Sequence, residues 1–300
     1  MPGTCPQAEG NTVKHLAGLA SVAAMAVLAG CGSRANQPDL TTQAIDARGH
    51  GIALNKSATG SLNGVYDRSD GSQAVSLTTT LSNGIPTSIN VDVKDRMEGN
   101  TDTPDASNLK VDSANLSTFR DGDTFLTRVQ TGGSYTANRY SISRDNLQHT
   151  FFIVGGNKTS NMPTSGSATY SGGASGSVYG SATGSAEVSG TATLNATFTG
   201  GGGTVQGRIS GLNGPMAGTD ILLNQRTITG ANFQNGEMSL VAAGTNLNNA
   251  NMTGSDYQGS FFGSGAAEVA GTFQFGAQNV PNPAGGTQEL KGVGSFGAAK

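Results

Sequence analysis

A two-residue period organises most of the chain beyond Ser57. Val75, Leu77, Thr79 and Leu81 alternate with polar residues, Asn83-Gly84 follows, and Ile89, Val91 and Val93 resume the alternation. Alternation sends successive side chains to opposite faces of a pleated strand. Asn-Gly tolerates the positive φ values that a two-residue hairpin turn demands. The pattern predicts a β-hairpin here, with Lys94, Asp95, Arg96 and Glu98 as its solvated end. Residues 109–119, 124–130, 139–143 and 150–154 read as further short strands between turns. Residues 57–156 are therefore expected to form an antiparallel sheet of their own.

Residues 155–163 are rich in Gly, Asn, Ser and Pro and read as a linker, after which the cleanest alternation in the chain begins. Ala186, Val188, Ala192, Leu194, Ala196 and Phe198 share one face, and Glu187, Ser189, Thr191, Thr193, Asn195 and Thr197 share the other. Gly190 interrupts the apolar face, where a bulge or a close approach is expected. Gly200, Gly201, Gly202 and Gly203 make a hairpin turn. They follow a strand but open no helix and lack a lysine, so they are no phosphate cradle. Residues 205–209, 221–223, 227–233, 237–241, 256–262, 269–275 and 291–296 supply further strands. About eight short strands at close turn spacing predict an up-and-down barrel or a sandwich. Small residues between Phe and Leu on the inward face suit a narrow barrel filled by side chains. No segment carries a sustained helical stripe. The predicted fold class is all-β, an antiparallel sheet followed by a barrel or sandwich of about eight strands.

Composition narrows the function classes. The chain has 300 residues, 46 of them glycine and none tryptophan, and only 12% are charged. Such numbers fit a turn-rich β protein or a disordered chain, and the periodicity selects the first. A net charge of −3 without a block of like charges leaves no electrostatic footprint for nucleic acid.

The N-terminus reads as an address. Lys14 and His15 precede an apolar run from Leu16 to Ala29 that ends in Leu28-Ala29-Gly30-Cys31. The run is shorter than the roughly 20 residues of a membrane span and has the length of a signal-peptide core. Its end looks like a bacterial lipobox, with cleavage between Gly30 and Cys31 and acylation of the Cys31 thiol. The segment before it is long for a signal and carries Cys5 and Glu9. Of the two cysteines, Cys5 would leave with the signal and Cys31 would carry lipid, so no disulfide is expected. Gly32 fits an outer-membrane destination. The expected organisation is a signal peptide at 1–30, a flexible tether at 31–56, an antiparallel sheet at 57–156, in the place of a handle in the family resembled below, and a second β unit at 157–300, in the place of its barrel.

Catalytic chemistry is sparse. Past the signal, the histidines are His50 and His149, and no free thiol remains. Asp123, Asp220 and Asp256 are scattered and reproduce no calcium-loop spacing. Glu268 reads as a turn carboxylate, His149 as a strand-edge residue beside Phe151-Phe152, and Tyr170 as barrel packing. Tyr179, near a Gly/Ser stretch, is open between packing and a partner anchor. No enzyme, metal site or cofactor is expected.

Three segments carry a resemblance: Met162-Pro163-Thr164-Ser165-Gly166-Ser167-Ala168-Thr169-Tyr170; Gly190-Thr191-Ala192-Thr193-Leu194-Asn195-Ala196-Thr197-Phe198; and the closing pieces Phe261-Phe262-Gly263, Glu268-Val269-Ala270-Gly271 and Phe296-Gly297-Ala298. In that order, across residues 155–300, they resemble the transferrin-binding protein B-like β-barrel lipoproteins of Gram-negative bacteria. The resemblance implies an eight-stranded barrel, a preceding handle and a lipid anchor. Large members of the family have two lobes and capture iron-loaded transferrin, whereas this chain has length for one handle and one barrel. It implies a lipid-anchored outer-membrane surface protein that binds an extracellular protein or a haem or iron carrier, with an outer-membrane transporter as a further partner. The alternative is a structural, periplasm-facing envelope lipoprotein. The family assigns no ligand-contact residue to positions in this chain.

Overall fold

The computed structural model describes residues 40–45, 47–55, 62–66, 75–82, 85–93, 107–111, 118–121, 124–144, 147–200, 202–242, 245–247, 252–282 and 284–300. Gly30, Cys31, the charged residues 94–98 and Asp123 lie outside them.

Ten strands form the first sheet: β1 (Leu40–Ile45), β2 (Ala47–Asn55), β3 (Leu62–Tyr66), β4 (Val75–Ser82), β5 (Ile85–Val93), β6 (Ser107–Val111), β7 (Thr118–Asp121), β8 (Thr124–Thr131), β9 (Tyr135–Arg144) and β10 (Leu147–Gly156). Their order is β1-β4-β5-β6-β7-β8-β9-β10-β2-β3, so the middle is a meander of sequence neighbours. Ser82 stands opposite Ile85, which leaves two residues for the predicted Asn83-Gly84 connection. The expected strand at 109–119 is instead two strands, β6 and β7, separated by residues 112–117. The tether expected at 31–56 also needs correction, because 40–45 and 47–55 are strands and β2 pairs with β10 along nine residue pairs from Leu147–Asn55 to Gly155–Ala47. Glycines hid that strand from a hydropathy reading. Gly51 stands opposite Phe151, and a Cβ on Gly51 would lie 2.2 Å from the Phe151 ring. The aromatic side chain covers the glycine and supplies apolar surface at that position of the ladder.

The second unit contains β11 (Gly166–Gly180), β12 (Gly184–Thr199), β13 (Gly202–Ser210), β14 (Thr219–Thr229), β15 (Asn232–Gly236), β16 (Met238–Ala242), β17 (Thr245–Leu247), β18 (Met252–Phe262), β19 (Glu268–Pro281) and β20 (Thr287–Ala299). Eight of these, β11-β12-β13-β14-β15-β18-β19-β20, close into an antiparallel ring through the β11–β20 and β13–β14 pairings. β16 continues the strand of β15 beyond Glu237, and β17 is a short addition to β16. The all-β class and the eight-stranded barrel are those expected from the sequence.

The alternation read on β12 is the inside and outside of the barrel. Val188, Ala192, Leu194, Ala196 and Phe198 are buried, while Glu187, Ser189, Thr191, Asn195 and Thr197 are exposed. Gly190 permits a close approach, since a Cβ there would lie 2.6 Å from the Ser210 carbonyl. Aromatic rings fill the interior. Phe261 sits between Tyr170, Phe198 and Phe233, with centroid distances of 5.7, 5.6 and 5.8 Å. The buried Tyr170 hydroxyl donates to the Ala266 carbonyl at 2.8 Å, so its polar end is satisfied.

Candidate functional site

The first sheet packs on the outer wall of the barrel. On β18, β19 and β20 the outward residues include Gln258, Ser260, Thr272, Gln274 and Ser295, all buried although their side chains are polar. β2, β9 and β10 cover them. Register places His50, Phe152 and Arg139 on one face of the sheet, together with Ala137 and Val154. That face meets the barrel.

One end of this seam is apolar. Tyr135, Ala137 and Val154 form a cluster with Phe262 and Ala270 of the barrel. The Tyr135 and Phe262 rings lie 5.7 Å apart. Gly297 provides the bed for Tyr135, and a Cβ there would stand 2.1 Å from the phenol oxygen. Glu268 closes this end. Its carboxylate accepts the Gly133 N–H at 2.6 Å and the Ser134 N–H at 2.7 Å, in the turn between β8 and β9. These are charge-assisted bonds to backbone donors. The linker runs alongside: Thr159 N donates to the Phe261 carbonyl at 2.9 Å, and Thr159 Oγ1 to the Gly263 carbonyl at 2.8 Å.

The other end is polar. His50 is fully buried, with Nδ1 2.9 Å from Thr272 Oγ1 and Nε2 3.2 Å from Asp256 Oδ2. One consistent arrangement has the Thr272 hydroxyl donating to Nδ1 and Nε2–H donating to Asp256. Gln258 Nε2 donates to the Gly49 carbonyl at 3.2 Å. Carboxylate, imidazole and hydroxyl in series resemble a nucleophile relay, but Thr272 is 0% exposed beneath the sheet. A nucleophile needs room for a substrate atom about 3 Å away. The series acts as a latch between two β units. At the rim, Arg139 Nη1 lies 2.6 Å from Glu187 Oε1, an ion pair exposed enough to add little.

The structure thus brings His50 to Asp256 at one end of the seam and Glu268 to the β8–β9 turn at the other, links that sequence reasoning did not foresee. Glu268 is the first residue of β19 and a fastener, not only a turn carboxylate. His149 lies on β10 opposite Ala53 and Ile142. Asp220 pairs with Arg208 on the outer wall. Tyr170 is core, and Tyr179 is partly exposed on β11. Among the described residues, no group of His, Cys, Asp and Glu could hold a metal ion. Nor is any helix among them long and apolar enough to cross a membrane, which says nothing of strands.

Residues 162–300 match the family described as the C-lobe and N-lobe beta barrels of Tf-binding protein B. The barrel region is therefore similar to the barrels of Tf-binding protein B. Isotype 1 transferrin-binding protein B of serogroup B Neisseria meningitidis is similar over 84% of this chain and 43% of its own, at 15% identity and a TM-score of 0.41. A transferrin-binding protein B mutant from Actinobacillus pleuropneumoniae is similar over 84% of this chain and 99% of its own, at 14% identity and a TM-score of 0.38. The N-lobe domain of lactoferrin-binding protein B of Moraxella bovis is similar over 60% of this chain and 80% of its own, at 13% identity and a TM-score of 0.33. The chain spans less than half the length of the meningococcal protein. No curated protein matches it.

Two predictions follow from the seam of this Tf-binding protein B-type barrel. Replacing Glu268 with Ala leaves two backbone N–H groups without their carboxylate. Bonds of this kind contribute roughly 1.5–3 kcal/mol when buried, and partial exposure reduces that to about 2 kcal/mol for the pair. Amide hydrogen exchange should accelerate in β9 and β10 of Glu268→Ala, while β11 to β14 keep their protection. Alkali should act at the same place. Burial, and secondarily the Glu268 carboxylate, push the Tyr135 phenol from 10.0 up to about 12. Burial also raises Tyr170. Burial raises Tyr257 too, with Arg226 opposing and Asp256 adding to the rise. A raised phenol holds its proton more tightly when folded, so its contribution is complete below pH 10 and is lost as pH climbs through about 12. Denaturation midpoints should therefore be flat from neutral pH to about 10 and fall above it, together with the rise of phenolate absorbance.

Proposed function

We propose that this chain is a non-enzymatic, lipid-anchored outer-membrane protein that displays its barrel and first sheet to the outside and binds an extracellular carrier of iron or haem. The match of the barrel region to those barrels is the single observation that carries the reading. The solved structures named above are of transferrin- and lactoferrin-binding proteins. In this reading residues 1–30 are the signal, Cys31 carries the acyl chains, and the residues from 31 to the start of β1 are the tether. A single acyl chain binds membranes only marginally, and several on one residue give lasting attachment. An outer-membrane transporter would receive the captured cargo.

A rigid scaffold suits protein capture, because the contact residues then lose little conformational freedom on binding. The seam supports this use. Glu268, Tyr135 and the His50 latch hold sheet and barrel so that a partner touching both meets a preorganised surface. The test is saturable retention of iron-loaded transferrin or lactoferrin on membranes carrying the full chain, with the Cys31→Ser form as control. The reading expects retention that saturates and the release of Cys31→Ser into the soluble fraction. Absence of retention for both carriers and for haem proteins would contradict it.

A further inference from the structure

The regular ladder of the barrel wall parts between β14 and β15. β14 pairs with β15 only at Thr229–Asn232, and lateral pairing resumes at Leu223–Met238 on β16. Between these points the ladder is replaced by other bonds. Arg226 Nε donates to the Gln234 carbonyl at 2.7 Å, Asn224 N donates to the Glu237 carbonyl at 3.0 Å, and the Tyr257 hydroxyl donates to the Asn224 carbonyl. Asn235 takes a φ of 55°, a region that side chains rarely adopt. Irregular strands and strained residues of this sort cluster where a protein aims side chains at a ligand.

Arg226 is the second observation. It stands opposite Val205 of β13, and its bond to the Gln234 carbonyl holds the guanidinium in the gap between β14 and β15. It is half-buried, and no carboxylate pairs with it among the described residues. A cation drawn partly from water calls for an anionic partner. Around it lies a cleft of about 270 Å³, lined also by Thr227, Thr229, Asn232 and Asn235, with Phe233 at its floor.

We propose that this cleft binds a sugar-sized hydroxylated carboxylate, such as an acidic monosaccharide of a glycan. The guanidinium would take the carboxylate by paired charge-assisted bonds. Thr hydroxyls and Asn amides both donate and accept, which suits the hydroxyls of a sugar ring. The volume admits one ring and little more. This site is separate from the protein-capture reading and does not depend on it.

The test is a titration of the full chain with galacturonate, read from backbone amide shifts, beside galactose and inorganic phosphate. Saturable shifts are expected at Thr227, Thr229, Asn232 and Asn235, with galactose and phosphate each about tenfold weaker or worse. Arg226→Gln should lose about tenfold in affinity. Thr229→Val keeps a β-branched residue at an exposed strand position and should lose several-fold, so it decides the matter if Arg226→Gln fails to fold. No saturable shift, an unchanged affinity in Thr229→Val, or equal binding of Arg226→Gln would overturn the proposal. Phosphate binding as tightly as galacturonate would also overturn it, by showing a bare anion site.

Discussion

Phe261→Ala should lower the stability of the chain by about 4 kcal/mol, the middle of the range for truncating a buried phenylalanine. Phe261 is 0% exposed and touches rings contributed by three other strands. Tyr170 comes from β11, Phe198 from β12 and Phe233 from β15. Removing the central ring strips each of them of a partner, and a closed barrel cannot collapse easily to fill the space. The cost should therefore sit near the transfer value plus the full cavity contribution. Urea denaturation followed by near-ultraviolet dichroism would measure it. A loss below about 1 kcal/mol, the range of surface changes, would mean that the interior is looser than described.

Gly294→Val should cost about 3 kcal/mol or more, by overpacking. Gly294 stands opposite Phe273 in the β19–β20 ladder. A Cβ there would lie 2.4 Å from Phe273 Cζ and 2.5 Å from the Ser175 carbonyl of β11. The ring could turn aside, but the β11 backbone could not move without opening the ladder. The same logic recurs at Gly271, whose Cβ would meet the Phe296 ring at 2.5 Å. Glycine and aromatic residues are thus paired across strands, which lets rings of this size share a narrow interior. Gly200→Ala is the control, since nothing lies within 4 Å of a Cβ there and the change should stay within about 0.5 kcal/mol.

These pairs show what the sequence disclosed and what it withheld. Alternation on β12 disclosed orientation, because inward Leu194 and Phe198 and outward Asn195 and Thr197 are a local property of one strand. It could not disclose coverage. Thr272, Gln274 and Ser295 carry the polar signature of an outer face and are buried, because a distant sheet lies over them. His50 and Thr272 are separated by 222 positions, and no spacing rule reaches that far. β2 was hidden because Gly49 and Gly51 interrupt its alternation, and only the ladder shows Phe151 covering Gly51. Glu268 gave a faint signal, an isolated carboxylate ahead of an apolar strand, but its donors at Gly133 and Ser134 come from another unit. Arg226 was invisible for a different reason. An arginine beside a strand is ordinary, and it becomes informative only once the β14–β15 ladder is seen to part around it.

The His50 latch and the Glu268 fastener also bear on how the surface would work. Sheet and barrel are joined by an apolar cluster at one end and by hydrogen-bonded polar groups at the other. Such a seam resists sliding, because polar pairs lose their geometry with small shifts. A partner spanning both units would then bind without first assembling its own site.

The measurement that bears most directly on surface display is protease shaving of intact cells that carry the full chain with a C-terminal tag, beside a periplasmic control protein. The account predicts loss of the tag while the control survives. Survival of both, with loss of the tag only after the outer membrane is permeabilised, would contradict it and leave a periplasm-facing envelope lipoprotein as the better description.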